Sequence, residues 1–156
     1  MAGTNGLNPT FENINAKRPV VADTGATRSI TAGESGSLFL MNRAAGQVYT
    51  LPVAPVGFYV DFAVTTSVTS NSYKVITGAG TELLIGGIIS DDTDSSNAVA
   101  IFDANGSTHV ACTMNGTTTG GLVGTRLRFT CLSATRWLVE GKVNGSGTVA
   151  TPFATS

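Results

Sequence analysis

Hydrophobic positions along this chain recur with a period of two, over short runs separated by turn residues. In Phe58–Val64, Phe58, Val60, Phe62 and Val64 fall on one face and Tyr59, Asp61 and Ala63 on the other, the alternation of a half-buried strand. Arg126–Leu132 repeats it, with Leu127, Phe129 and Cys131 inward and Arg126, Arg128 and Thr130 outward. Around His109–Met114, the residues Val110, Cys112 and Met114 share a face. Further strands are expected at Leu38–Asn42, Gln47–Leu51, Tyr73–Thr77, Glu82–Ile89, Ala98–Asp103 and Arg136–Val143. Leu83–Ile89 is apolar on both faces, which places it centrally or at an interface.

Asn-Gly pairs at Asn5-Gly6, Asn105-Gly106, Asn115-Gly116 and Asn144-Gly145 punctuate these runs. Helix-period stretches are confined to one-turn pieces near Ala32–Ser35 and Asp91–Asn97. No crossover helices are available for a parallel sheet. The expected fold is therefore all-β, a single antiparallel sandwich or barrel, jelly-roll-like, over residues 27–145. Residues 1–26 hold sparse apolar side chains among Asn, Gly and Pro, and read as an extended arm or a leader. Residues 146–156 form a tail with Phe153 as its anchor.

Composition narrows the function. The hydrophobic fraction is 42% and the charged fraction only 12%, so the body should fold. Its surface must be rich in Thr, Ser, Asn and Gly, which a partner can cover at little desolvation cost. With a net charge of −1, and only Lys17-Arg18 and Arg126/Arg128 as basic clusters, nucleic acid is not an expected partner. No run approaches the roughly 18 apolar residues of a membrane helix, and the first ten residues lack the pattern of a signal peptide. Synthesis and residence in the cytoplasm, or exit from it by cell lysis, follow as the expectation.

Candidate chemistry is sparse. The single histidine, His109, sits in a predicted strand and points outward by alternation. No Gly-x-Ser-x-Gly elbow accompanies it, and one His with two Cys supplies a zinc site poorly. Asp91, Asp92 and Asp94 offer carboxylate oxygens to calcium, but without EF-hand spacing, so a solvated polar loop is the preferred reading. If Gly120-Gly121 closes a hairpin, Cys112 and Cys131 fall opposite or diagonal on the inward face. Strain across such a pair and a reducing compartment favour two buried thiols over a disulfide. No catalytic residue and no cofactor are expected.

Several segments carry a resemblance. They are Arg28-Ser29-Ile30-Thr31, then Glu34-Ser35-Gly36-Ser37 running into Leu38-Phe39-Leu40, then Tyr49-Thr50-Leu51-Pro52. Gly57-Phe58-Tyr59-Val60-Asp61-Phe62 follows, and Arg136-Trp137-Leu138-Val139-Glu140-Gly141 comes near the end. In this order, over roughly residues 27–143, the chain resembles the small β-rich structural proteins of tailed bacteriophages: head decoration (cement) proteins and related fibre modules. The resemblance implies a virion protein on the capsid exterior, bound to the major capsid protein as a trimer or comparable small oligomer. It would stabilise the head against internal DNA pressure. On that basis Leu7, Phe11 and Ile14 are the expected arm contacts with the capsid. The rival it leaves open is a fibre or receptor-binding module for a host-surface glycan. The low aromatic content, 7% and mostly on inward faces, weighs against an aromatic-lined sugar site.

Overall fold

The computed structural model describes residues 17–53, 55–94 and 99–156. Its described residues form two stacked sheets with no α-helix. In chain order the strands are β1 (Val20–Val21), β2 (Thr27–Ser29), β3 (Leu38–Met41), β4 (Gln47–Thr50), β5 (Tyr59–Val64) and β6 (Tyr73–Ile76). Then follow β7 (Leu83–Asp92), β8 (Val99–Asn105), β9 (Ala111–Met114), β10 (Arg126–Ser133), β11 (Arg136–Gly145) and β12 (Phe153–Ala154). A seven-stranded sheet has the order β1-β3-β5-β10-β11-β7-β8, and a five-stranded sheet the order β12-β9-β6-β4-β2. Neither closes into a barrel.

The all-β expectation holds, but the antiparallel, jelly-roll-like one does not: both sheets are mixed. β1, β3 and β5 run parallel, as do β2, β4 and β6, and β11 is parallel to β7. The reason lies in the order of the chain. From β1 to β7 it alternates between the sheets, so each crossover that a helix would normally make is made by a strand of the opposite sheet. A strand then returns beside its predecessor in the same direction. The β10–β11 hairpin, antiparallel to β5 on one side, occupies the space between β5 and β7.

Apolar side chains from both sheets meet in one core. Phe62 of β5 packs against Phe39 at 5.5 Å, Phe129 at 5.7 Å and, across the sandwich, Tyr49 of β4 at 5.1 Å between ring centroids. Trp137 is fully buried edge-on to Phe58 at 5.8 Å. The inward sets expected for β5 and β10 are buried, with Asp61 as the one outward residue that is also buried. β7 lies one strand from the sheet edge, with Leu84 and Ile88 in the core and Ile89 outside.

Several short elements escaped the periodicity reading. β1 and β2 tie down residues 18–29, β12 pairs the tail with β9, and Phe153 is buried. The piece expected at Ala32–Ser35 is a 3₁₀ turn, Ala32–Glu34. At Asp91–Asn97 the first two residues instead finish β7.

The proposed Cys112–Cys131 hairpin is also corrected. Residues 115–125 carry the chain from one sheet to the other, with Gly116, Gly120, Gly121 and Gly124 all at positive φ. Cys112 therefore lies opposite Val75 and Phe153 in the five-stranded sheet, and Cys131 opposite Trp137 in the other. A Cβ at Gly116, where φ is 84°, would stand 2.0 Å from the Val68 carbonyl oxygen. Gly116→Ala should lower unfolding free energy in urea by about 2–4 kcal/mol. Gly33→Ala, with nothing within 4 Å, should change it by less than about 0.5 kcal/mol.

Candidate surface site on the seven-stranded sheet

The outward face of the seven-stranded sheet carries a row of charge where its middle strands align. Arg128 lies opposite Asp61 on one side and Glu140 on the other, and Leu38 lies opposite Asp61. Asp61 is only 6% exposed, which its partners make tolerable, because a buried carboxylate needs hydrogen-bonded cations. Arg128 donates to it in a fork, Nε to Oδ1 at 2.7 Å and Nη2 to Oδ2 at 2.8 Å. Arg18, arriving from the strand edge, places Nη1 2.6 Å from Oδ2. Arg18 also donates through Nη2 to the carbonyls of Gly36 at 2.9 Å and Ser37 at 3.0 Å. This clamp fixes the start of the described chain against β3 and β5.

Burial pushes the Asp61 carboxyl up, but hydrogen bonds from Arg128 and Arg18 outweigh it and hold the group below its ordinary range. The Arg128 guanidinium also lies over the Tyr59 ring, 5.0 Å from its centroid. Around this network is an open, shallow hollow of about 500 Å³, lined by Arg126, Glu140, Leu38 and Ala63 besides the ion pairs. The Arg126 side chain makes no hydrogen bond or ion pair with the described residues. It is an exposed cation beside the Asp61–Arg128 pair. Exposed apolar side chains flank the row: Val20 on one side, and Ile89, Val99 and Ile101 on the other.

A second network pins the same segment from the opposite sheet. Arg28 of β2 pairs with Asp23 at 2.9 Å and with Glu34, and its guanidinium lies over Phe39 at 5.5 Å. Glu34 in turn accepts from the Thr31 amide at 2.8 Å, closing the 3₁₀ turn.

The other candidates are dispersed. His109 precedes β9 instead of lying within a strand; its Nδ1 accepts from the Asn105 amide at 3.1 Å and its ring stacks on Phe153 at 5.6 Å. Asp91 pairs with Lys142 at 2.6 Å, buried Asp92 accepts from the Asp94 amide at 2.8 Å, and Asp94 accepts from the Gly147 amide at 2.7 Å. Each carboxylate thus serves a different strand or turn. Among the described residues no group of three or more His, Cys, Asp or Glu is placed to hold a metal ion. Both cysteines are buried thiols outside any disulfide, and burial pushes the Cys112 thiol up to about 12. Among the described residues no helix is long and apolar enough to cross a membrane. Leu7, Phe11 and Ile14 lie outside the described residues.

Sequence reasoning missed the charge row. Asp61, Arg128 and Glu140 each sit at an outward position of a predicted strand, and the missing information was which strands are neighbours. Compared with known proteins, the chain matches no family model, no curated protein and no solved structure.

Asp61→Asn should cost about 1–3 kcal/mol at pH 7, less than breaking a fully buried pair because Arg128 and Arg18 are partly solvated. The native carboxyl is held below its unfolded value, so the unfolded chain binds the proton first as pH falls. Wild type should keep its full advantage over Asp61→Asn above the ordinary carboxylate range. It should lose that advantage progressively as pH drops through the native value. Urea unfolding of both proteins between neutral and strongly acid pH reads the difference directly.

Proposed function

We propose that this chain is a structural virion protein that binds the outer surface of a phage capsid as a small oligomer and stabilises the head. The observation that carries the reading is the outward face of the seven-stranded sheet. It is broad, shallow and preorganised, with Arg126 free beside the fixed Asp61–Arg128–Arg18 network and exposed apolar side chains on both flanks. Such a face suits another protein surface better than a small substrate, which calls for an enclosing pocket. An ion pair already held in place adds charge complementarity without ordering two long side chains on binding. Many copies clamping neighbouring capsid subunits would favour the assembled head by mass action. The partner is then the major capsid protein, presenting a carboxylate to Arg126 beside an apolar contact.

The test is to mix purified protein with capsids lacking it, counting bound copies per head and measuring the temperature of DNA release. Saturable binding with a raised release temperature is expected. Arg126→Glu, a change at an exposed position, should weaken head binding by about tenfold or more while leaving the unfolding midpoint unchanged. Absence of head binding, with binding to host cells instead, would replace this reading by a receptor-binding module.

A further inference from the structure

The two sheets have four edges, and three of them are blunt. β1 and β12 are two residues long and β2 is three, and β1 is preceded by Lys17, Arg18 and Pro19. Short strands, cations and proline are the usual devices that prevent a sheet edge from pairing with another chain. The fourth edge, β8, has none of them. It runs for seven residues, Val99–Asn105, with no Lys, Arg or Pro, and its outward Val99 and Ile101 are 66% and 71% exposed. Ile89, opposite Ile101 on β7, is 47% exposed and extends the same apolar surface.

The only charge on β8 is turned away from the edge. Asp103 leans back over β7, its Oδ1 2.6 Å from where a Cβ of Gly87 would stand, so the absence of a side chain at Gly87 accommodates the carboxylate. Which backbone groups face outward also follows. Gly106 N–H donates to the Leu84 carbonyl on β7, whereas Asn105 N–H donates to His109. By the alternation of an antiparallel ladder, Ala100, Phe102 and Ala104 then bond to β7. Val99, Ile101 and Asp103 point their N–H and C=O groups outward, with no partner among the described residues.

We propose that β8 is the seam of a symmetric dimer, pairing antiparallel with β8 of a second copy of this chain. The strand is self-complementary in one register: Ile101 opposite Ile101 of the second copy, and Val99 opposite Asp103. Every outward amide from Val99 to Asp103 is then bonded, and Asn105 keeps its bond to His109. On the outer face Ile89, Ile101 and their copies form one continuous apolar row across the axis. The two Asp103 residues sit two positions either side of the axis, roughly 14 Å apart along the strands, beyond the screening length of about 8 Å. Two-fold pairing consumes the open edge of both copies and stops there, whereas pairing β8 with a different edge would leave an end to grow from. The proposal does not rest on the capsid reading.

Sedimentation of the full-length protein over a wide concentration range tests it. Wild type should sediment at twice the mass of one chain and dissociate on dilution. Ile101→Pro removes an outward N–H and none of the β7–β8 bonds, so it should give a folded monomer with an unchanged far-UV spectrum. Ile101→Lys retains the amide but sets two cations against each other, and should raise the dissociation constant by about tenfold or more. It carries the test if the proline variant fails to fold. Wild type that is monomeric throughout, or trimeric, overturns the proposal, as does a folded Ile101→Lys variant that dimerises as tightly as wild type. A chain that dimerises but ignores capsids would overturn the capsid reading and leave the seam standing.

Discussion

With no α-helix among its described residues, this chain can bury the apolar face of one sheet only against the other. That constraint sets the route of the backbone. Each early strand is followed by one on the opposite layer, and the two layers are stitched by aromatic contacts centred on Phe62. Because Phe39, Tyr49, Phe62 and Phe129 come from four different strands in two sheets, the core forms only when the layers close together. The ladders, the loops and the outer faces all take their positions from that closure.

The outer face of the seven-stranded sheet is a by-product of the same order. Inserting the β10–β11 hairpin between β5 and β7 brings Arg128 beside Asp61, and Glu140 beside Arg128. A carboxylate at an outward position would ordinarily stay hydrated. Here two arginines, one of them reaching from the chain before β1, cover it and hold it ionised. The clamp has a structural role, since it fixes the entering chain, and it leaves Arg126 and the apolar flanks available to a partner. The cost of ordering the arginines is met within the fold, so a docking surface can be rigid before anything binds.

The unequal edges point the same way. Proteins that remain monomeric usually shorten, charge or cover their exposed strands. This one does so at β1, β2 and β12 and leaves β8 long and apolar. A low charge content spread over Thr, Ser and Gly surfaces would make assembly inexpensive in desolvation, and the open edge would give it a direction.

The sequence by itself determined the strands and their inward faces, because period-two alternation is local and each side chain's burial follows from its neighbours in the chain. Phe62 and Phe129 in the core, and Arg126 and Arg128 outside, were legible in that way. β1, β2 and β12, two or three residues each, were too short to show any period. Which strands are neighbours was decided only by the tertiary structure. A strand's pattern states which face is buried but not which strand lies beside it, nor in which direction. Parallel pairs arose because a strand of the opposite sheet served as the crossover, and Cys112 parted from Cys131 because four positive-φ glycines carried the intervening loop between layers. The Asp61 network belongs to the same class, since ion pairs between residues 67 positions apart in sequence exist only once the sheet order is set.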